Sequence, residues 1–451
     1  MLRLIYNAFI IPVLYVFTIL AAVFSKKIYK SLQVRENILK TLTKKKIRLN
    51  PYKRTVLFHC SSMGEYKQIL PIVNNLRQSS VDYNIVLSLF SPSVYENINR
   101  ENELFDIITY IPFDFFMQTR NFINIINPQL VIISKHDVWP NFIWELAQKD
   151  ISIYLVNALF ADDTKMDKWY IRFFFRSIFS KLSGIITINE KHRQRFLNIF
   201  PYPEKLYISG DSRFDTVIFE AENSAGIDLL NRIETNEHVF VAGSTWPVAE
   251  TIIIETWNKI KNKYPDAFLI IVPHEVDNEH IYKIETICQE NNLKSIVYTE
   301  LTTSEDILKY DCMIVDVIGI LSKVYRYANV AYVGGGFSKS GLHSVIEPAV
   351  FGIPVVFGPN LDKSPEAQEM KYMDCGNDFS SSSELYKSID TLWSDRDLYR
   401  KICELSTEFI NNHKGATDRI VDVITGNITK NELEKVKSLT EEEIEELSRF
   451  Q

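Results

Sequence analysis

Several common signatures are missing from this 451-residue chain, and each absence removes a class of protein. The sequence has no G-x-x-x-x-G-K-[ST] loop and no G-x-S-x-G elbow, which counts against P-loop nucleotidases and α/β hydrolases. Acidic residues outnumber basic residues by 57 to 50, so the net charge is −7. A chain without a basic excess lacks the charge that neutralises nucleic-acid phosphates, and we expect no nucleic-acid partner.

Cysteine is scarce, with five residues that form no C-x-x-C pair. An odd and scattered set indicates a reducing compartment, with neither a zinc site nor a disulfide framework. The D-x-D spacing occurs once, at Asp395-Arg396-Asp397, in a helical and charge-rich stretch instead of at a strand end. We therefore expect no metal.

One long apolar run is present at the amino terminus. Leu4–Phe24 contains no charged residue, and a helix of that length crosses a hydrocarbon core of roughly 30 Å. Lys26, Lys27 and Lys30 follow, which favours a cytoplasmic position for the chain after the run. Residues 1–30 are therefore predicted to be a membrane anchor, with the globular part on the cytoplasmic face of the membrane. Asn7 and Pro12 leave open an anchor that lies in the interface instead of spanning it.

The remainder alternates short β-rich runs with helical patterns, which predicts an α/β protein with parallel sheets. Its length and 46% hydrophobic content predict two domains. We expect an N-terminal domain at 31–215, a linker at 216–235, a C-terminal domain at 236–428 and an acidic helical tail at 429–451. The predicted strands are Thr55–His59, Asn84–Leu89, Leu130–Ser134, Ile153–Asn157, Gly184–Ile188, Val239–Ala242, Ala267–Val272, Cys312–Val315, Val330–Val333 and Pro354–Phe357.

Glu65 is the first candidate catalytic residue. It follows Gly64 in the first turn of a predicted helix, where the helix dipole favours the ionised carboxylate. An ionised carboxylate can accept the proton of an attacking hydroxyl. The alternative is an ordinary first-turn acid with no catalytic role.

A second strand–loop–helix signature contains Gly334–Gly336, Ser344 and Glu347. Glycines allow a tight turn after the strand, and Ser344 is a plausible N-cap. Glu347 then either closes a capping box with Ser344 or binds ribose hydroxyls while nearby N–H groups face a phosphate. Two further loops follow predicted strands of the same half and carry Ser244 with Thr245 and Pro273 with His274. Ligands in open α/β sheets bind at the carboxyl ends of strands, so these loops are predicted to share a site.

Aromatic and basic residues alternate between Trp169 and Lys181, including Arg172 and Arg176. This stretch is either a surface that contacts membrane lipids or an amphipathic core helix with exposed arginines.

The ordered motifs resemble the 3-deoxy-D-manno-octulosonic acid (Kdo) transferase family from the anchor to about residue 415. They are His59–Glu65, Trp139–Asn141, Gly210–Asp215, Ala242–Thr245, Gly334–Gly335, Gly341–Ala349 and Phe351–Pro359. The resemblance implies a GT-B glycosyltransferase in which two Rossmann-like domains face each other across a cleft. It further implies CMP-Kdo as the donor and a lipid A precursor as the acceptor, with inversion at the anomeric carbon and no metal or other cofactor.

The resemblance also implies residue roles. Glu65 matches the base that deprotonates the acceptor hydroxyl, and Glu347 matches the acid that holds the ribose. His343 and Ser344 match the surroundings of the phosphate. Ile318 and Gly319 match a loop lining the cytosine pocket, and Pro273 and His274 match another wall of the nucleotide site.

Some positions depart from the family pattern. Ser344 replaces a common asparagine, and Ser340 replaces an arginine, for which Lys339 is the predicted substitute cation. Lys135 replaces a carboxylate, and Asp137 is the nearest acid retained. With Ser62 and Gly64, the residues Lys135, Asp137 and Lys339 are candidate contacts to Kdo or the acceptor.

Two other functions fit the same sequence features. A nucleotide-sugar epimerase of the GT-B type also uses two Rossmann-like domains and a carboxylate, but it leaves the Leu4–Phe24 run unexplained. A non-catalytic nucleotide-sugar-binding scaffold keeps the nucleotide loops without needing Glu65 as a base.

Overall fold

The computed structural model describes residues 2–98, 103–160, 168–338 and 341–426. The chain divides into two compact units. Unit 1 comprises the residues up to Thr216 together with the described residues from Lys414 onward, and unit 2 comprises Val217–His413. All five cysteines are free thiols.

Unit 1 is built on a seven-stranded sheet in the order β3-β2-β1-β4-β5-β6-β7, with all neighbouring strands parallel. The strands are β1 Arg54–Cys60, β2 Tyr83–Leu89, β3 Ile107–Tyr110, β4 Leu130–Ser134, β5 Ser152–Ala158, β6 Gly184–Thr187 and β7 Leu206–Ile208. Its helices are α1 Leu2–Phe24, α2 Lys26–Glu36, α3 Ile38–Lys45, α4 Met63–Gln78, α5 Pro92–Asn97, α6 Phe116–Ile126, α7 Pro140–Ala147, α8 Trp169–Phe179, α9 Glu190–Leu197 and, crossing into unit 2, α10 Ser212–Asn223.

Unit 2 contains a second parallel seven-stranded sheet in the order β10-β11-β9-β8-β12-β13-β14. Its strands are β8 Val239–Thr245, β9 Phe268–Pro273, β10 Ser295–Val297, β11 Cys312–Ile314, β12 Val330–Val333, β13 Val355–Phe357 and β14 Gly376–Asp378. The helices are α11 Pro247–Lys263, α12 Asn278–Glu290, α13 Leu321–Val324, α14 Ile346–Ala349, α15 Pro365–Tyr372, α16 Ser382–Ser394, α17 Arg396–His413 and, in unit 1, α18 Ala416–Thr425.

The sheet of unit 1 has an apolar core on each face. Successive residues of a strand point to opposite faces of the sheet and therefore enter different cores. In β1, Leu57 lies in one cluster, and Val56 and Phe58 lie in the other. Strands covered on both faces read as continuous apolar runs, which is why the interior strands were visible in the sequence. Two such sheets are the GT-B-like α/β class that the sequence predicted.

The boundary of the predicted C-terminal domain differs from the structure. Residues 414–426 belong to unit 1, because α18 packs on α4 and contributes Ile420 and Ile424 to a core of that unit. Asp215 accepts hydrogen bonds from the backbone N–H groups of Gly415, at 2.7 Å, and Thr417. The division between the units lies within the predicted linker, and the chain at that point is helical because it belongs to α10. The predicted acidic tail at 429–451 lies outside the described residues.

Helix α1 is long and apolar enough to cross a membrane, with a mean hydropathy of 2.2 over its most apolar window. Its first turns nevertheless contact the globular part of unit 1. Tyr6 donates a hydrogen bond of 2.9 Å to the buried Asp114, and Asn7 and Asn141 exchange hydrogen bonds through their side-chain amides. Arg3 forms an ion pair with Glu145. The amino-terminal end of the predicted anchor is therefore packed on unit 1.

Candidate functional site

Glu65 lies at the carboxyl end of β1, in the first turn of α4, and is only 3% exposed. Its Oε2 accepts hydrogen bonds from the backbone N–H of Ser61, at 2.6 Å, and from the Ser61 hydroxyl, at 2.9 Å. Ser62 is the N-cap of α4, and its hydroxyl accepts a hydrogen bond from the Glu65 N–H. One carboxylate oxygen is thus fixed in place, whereas Oε1 has no hydrogen-bond partner among the described residues.

Gly64 occupies an open position beside this carboxylate. The residue is exposed, and a Cβ built on it would meet no atom within 4 Å. Glycine is therefore not required at this position by the packing of unit 1.

A second buried group joins β1 to the loop after β4. The fully buried His59 places Nε2 2.8 Å from Oδ2 of Asp137, and its Nδ1 lies 2.9 Å from the Ser88 hydroxyl. Burial raises the pKa of Asp137, but the hydrogen bond and charge of His59 outweigh it and leave the pKa below its usual value. The carboxylates of Glu65 and Asp137 also add to the effect of burial in raising the pKa of Cys60. The structure therefore groups Glu65 and Asp137 near the end of β1.

The neighbouring strand ends have unusual backbones. Lys135, half-buried after β4, has φ +62°, and its N–H donates a hydrogen bond to Val156. Asn157, near the end of β5, has φ +52° and is 1% exposed. Neither Oδ1 nor Nδ2 of Asn157 has a hydrogen-bond partner in the part of the chain that the structure describes. A buried amide without a partner is costly, which makes Asn157 a candidate ligand contact. The sequence reasoning placed Asn157 in a strand and overlooked this role.

In unit 2, three predicted loops meet at the carboxyl edge of the sheet. The Gly334 N–H donates a hydrogen bond of 2.9 Å to the Gly243 carbonyl, and the His343 N–H donates one of 2.9 Å to the Gly334 carbonyl. A Cβ on Gly334 would stand 1.8 Å from the Ser244 carbonyl oxygen, so only glycine permits this approach. Ser244 itself has φ +51°.

Three rings lie next to one another at this edge. The His274 ring stacks on Trp246, with 4.7 Å between centroids, and lies 4.6 Å from the His343 ring. Burial and the neighbouring His274 lower the pKa of His343, so its neutral form is favoured. Trp246 is a member of this group that the sequence analysis did not select as a site residue.

The Thr245 hydroxyl is fully buried and donates a hydrogen bond of 2.8 Å to Oε1 of Glu250. It is therefore committed within the protein, and the expectation that this hydroxyl binds the donor does not fit the structure. Pro273 pairs with Thr245 at the end of β9 and is buried. Ser244 and His274 remain at the surface of the same edge.

The capping box proposed for Ser344 and Glu347 does not form. Helix α14 has only four residues, begins at Ile346 and has Val345 as its N-cap, without a side-chain cap hydrogen bond. Ser344 is exposed and Glu347 half-buried, and the Glu347 charge adds to the burial that raises the pKa of Tyr325.

The remaining candidates lie at varied positions. Ile318 is 86% exposed, and Gly319 has φ +91° in an open loop. Arg172 and Arg176 are exposed one turn apart on α8, beside the exposed Trp169 and Phe173. Lys339 lies outside the described residues. Among the residues that the structure describes, no group of three His, Cys, Asp or Glu side chains is arranged to hold a metal ion.

The chain is similar in sequence to known 3-deoxy-D-manno-octulosonic acid transferases. Residues 32–216 match the family model described as 3-Deoxy-D-manno-octulosonic-acid transferase (kdotransferase). The 3-deoxy-D-manno-octulosonic acid transferase of Haemophilus influenzae is 23% identical over 391 residues, which cover 84% of this chain and 89% of that protein. The Aquifex aeolicus protein of the same name is 26% identical over a match that covers 74% of this chain and 85% of that protein.

A longer relative and two solved structures add to this comparison. A bifunctional glycosyltransferase/methyltransferase of Fusobacterium nucleatum is 27% identical over 76% of this chain, and the match spans only 53% of that protein. A putative UDP-N-acetylglucosamine 2-epimerase from Listeria monocytogenes matches the fold with a TM-score of 0.56 at 12% identity, covering 83% of this chain and 96% of that one. A glycosyltransferase from Rickettsia africae matches the fold with a TM-score of 0.53 at 12% identity, and the match covers 84% of this chain and 100% of that one. At such low identity these structures establish the fold alone.

Proposed function

We propose that this chain, as a member of the Kdo transferase family, transfers Kdo from CMP-Kdo to a hydroxyl of a lipid A precursor. The observation that carries the chemical part of the proposal is the state of the Glu65 carboxylate. Oε2 is held by two donors of Ser61, and Oε1 has no partner among the described residues. A general base needs this combination of a fixed orientation and a free oxygen.

In the proposed reaction, Glu65 accepts the proton of the acceptor hydroxyl as the hydroxyl oxygen attacks the anomeric carbon of Kdo. The bond to the CMP phosphate breaks on the opposite face, so the configuration at the anomeric carbon inverts. Orientation of the two reactants and stabilisation of the leaving phosphate account for catalysis without a metal ion.

We assign the nucleotide to the carboxyl edge of the unit 2 sheet. The support for this assignment is the close packing of the Gly334, Ser244 and His343 loops, where backbone groups approach each other because side chains are small. Glu347 is proposed to hold the ribose, and the exposed Ser344 and Gly319 are proposed to face the phosphate and the base.

Membrane attachment through α1 and α8 is proposed as the means by which the enzyme meets its amphiphilic acceptor. The outward face of α1 is apolar, with Phe9 at 67%, Phe17 at 65% and Phe24 at 91% exposure. The ring centroids of Tyr6 in α1 and Phe174 in α8 are 6.2 Å apart, so the exposed surfaces of these two helices are adjacent. Because the first turns of α1 are bound to unit 1, we propose that the anchor lies in the cytoplasmic leaflet of the inner membrane instead of crossing it.

The testing experiment is transfer of labelled Kdo to a tetraacylated lipid A precursor, with CMP-Kdo regenerated in the reaction and EDTA present. We expect transfer by the wild-type protein and a loss of about 10²–10⁴-fold in Glu65→Gln, the range of general-base catalysis. Wild-type protein that binds CMP but transfers nothing would contradict the assigned reaction. Conversion of a nucleotide sugar to its epimer, with the bond to the nucleotide kept, would instead support an epimerase.

A further inference from the structure

Next to the nucleotide loops of unit 2, two buried side chains, Glu250 and Thr245, and the half-buried His280 form a group with no role in the proposed chemistry. Glu250, in the first turn of α11, is 1% exposed, and its two carboxylate oxygens have different partners. Oε1 accepts the hydrogen bond of the Thr245 hydroxyl at 2.8 Å, and Oε2 lies 3.0 Å from Nε2 of His280. The other ring nitrogen of His280, Nδ1, lies 2.9 Å from the Glu275 carbonyl oxygen.

Both partners of His280 are hydrogen-bond acceptors. A backbone carbonyl can only accept, and an ionised carboxylate can only accept, so both contacts are satisfied when both ring nitrogens carry a proton. A neutral imidazole has one N–H and leaves one of the two contacts without a proton. The arrangement therefore favours the imidazolium form, which also supplies the counter-charge of the buried Glu250.

The charged groups around His280 agree with this assignment. Burial lowers the pKa of His280. The hydrogen bond and the charge of Glu250 raise this pKa, and the Glu275 carbonyl and the Asp277 carboxylate raise it further. Together they outweigh the effect of burial, so the pKa of His280 lies above its usual value of 6.5. Elsewhere on α12, Glu279 and Lys283 pair with each other.

The group is connected directly to the loops of the nucleotide site. The Thr245 carbonyl accepts a hydrogen bond of 3.0 Å from the His274 N–H. Thr245 follows Ser244, whose backbone is left-handed, and His274 packs on Trp246 and His343. The position of Thr245 thus sets both the Ser244 turn and the His274 ring.

We propose that the His280–Glu250 ion pair is a pH-dependent positioning device for the nucleotide site, acting through the Thr245 hydroxyl. The inference rests on the proposed function in that it assigns the nucleotide to these loops. Glu250, His280 and Thr245 are positioning residues, since none is assigned a contact with the substrate. As the pH rises through the pKa of His280, the imidazolium is lost, Glu250 loses its counter-charge, and the Thr245 and His274 loops lose their fixed geometry.

The first measurement is the affinity of the full-length protein for CMP, determined by calorimetry at several pH values between 6.5 and 9. Wild-type affinity is expected to fall about 5- to 10-fold as the pH rises, which is the low end of a typical coupling between two sites. In His280→Gln, the amide still donates to Glu250 but does not titrate, so the pH dependence over this range should disappear. Thr245→Val should weaken binding at every pH, and Thr245→Ser should restore it.

The matched control is His238→Gln. His238 also forms an ion pair with a carboxylate, that of Asp266, at 2.8 Å, but it lies at the opposite, amino end of β8. This variant should keep the wild-type pH dependence. If His280→Gln retains the wild-type pH dependence as well, the proposed device is overturned.

A second measurement separates this inference from the nucleotide assignment. Hydrogen exchange at the His274 amide reports its bond to Thr245 in the absence of any nucleotide. Protection of this amide should fall above the pKa of His280 in the wild type but not in His280→Gln. A protein that shows this change yet binds no CMP would contradict the proposed function and uphold the device, whereas protection that is independent of pH in the wild type would overturn the device.

Discussion

Glu65 and Glu384 close the same kind of capping box in the two units, but only Glu65 is buried. Glu384 accepts hydrogen bonds from the N–H and hydroxyl of Ser380, at 2.7 and 2.8 Å, just as Glu65 accepts them from Ser61. Ser381 caps the helix of Glu384 as Ser62 caps that of Glu65. Capping is therefore not what distinguishes Glu65, whose 3% exposure and position at a central strand end are its distinctive properties.

This pair provides a matched test of the catalytic role. Glutamine also closes a capping box, so Glu65→Gln should stay folded, with a free energy of unfolding within about 1 kcal/mol of wild type. We expect Glu65→Gln to lose Kdo transfer and Glu384→Gln to retain it, measured in parallel with urea unfolding of both variants. Equal activities of the two variants would assign Glu65 a capping role only.

Gly64→Ala separates stability from acceptor access. The position is helical, and an added Cβ meets no protein atom, so alanine should stabilise α4 by about 0.5–1 kcal/mol. If the acceptor approaches Glu65 here, the same methyl group occupies its path, and KM for the lipid should rise several-fold. Thermal unfolding and acceptor titration measure the two effects. A stabilised variant with unchanged KM would place the acceptor elsewhere.

The strands that the sequence analysis missed are the edge strands of both sheets. β3, β7, β10 and β14 lie at the sheet edges and contain three or four residues each. An edge strand pairs on one side only and needs no long apolar run, so its sequence resembles that of a loop. Every strand that the sequence predicted is present in the structure, and each is an interior strand whose two faces are covered.

The candidate site was less predictable, because the same short pattern has different outcomes. The spacing S-x-x-E occurs at Ser62–Glu65 and at Ser344–Glu347, and only the first forms a capping box. Helix α14 begins two residues after Ser344, which places Glu347 out of reach of that role. The pairing of Glu250 with His280 was also hidden, because the two residues are 30 positions apart in sequence. Only the tertiary structure brings them together.

Asn157→Gly tests whether its buried amide binds substrate. Asparagine tolerates a left-handed backbone, so the φ of +52° is by itself a sufficient reason for asparagine at position 157. A role of the side chain in binding needs separate evidence. Glycine removes the backbone strain and the unpartnered amide, and unfolding should become less favourable by about 1–3 kcal/mol. If the amide contacts a sugar hydroxyl, KM for the acceptor or the donor should nevertheless rise.

Asn127 and Asn292 provide the controls for that variant. Both have left-handed backbones, with φ of +51° and +58°, and both are exposed. Glycine at either position should leave the kinetics unchanged. An Asn157→Gly protein with wild-type KM values would reduce Asn157 to a backbone residue.

The placement of α1 predicts the topology of the anchor. An interfacial helix bound to unit 1 keeps both of its ends on the cytoplasmic side, whereas a spanning helix exposes its amino terminus on the other side. We would insert one cysteine between Met1 and Leu2, place another at Ser25, and treat spheroplasts with a membrane-impermeant maleimide. The native thiols give little background, since four are buried and Cys403 is half-buried.

For an interfacial anchor, neither introduced cysteine should react until the cells are opened. Labelling of the inserted cysteine in intact spheroplasts would establish a spanning helix. It would also require Tyr6 and Asn7 to leave Asp114 and Asn141 in the membrane-bound protein. Tyr6→Phe distinguishes these states further, because loss of a hydrogen bond to a buried carboxylate should destabilise the docked form by about 1.5–3 kcal/mol. A spanning helix, from which the contact is absent, should show no such loss in the membrane.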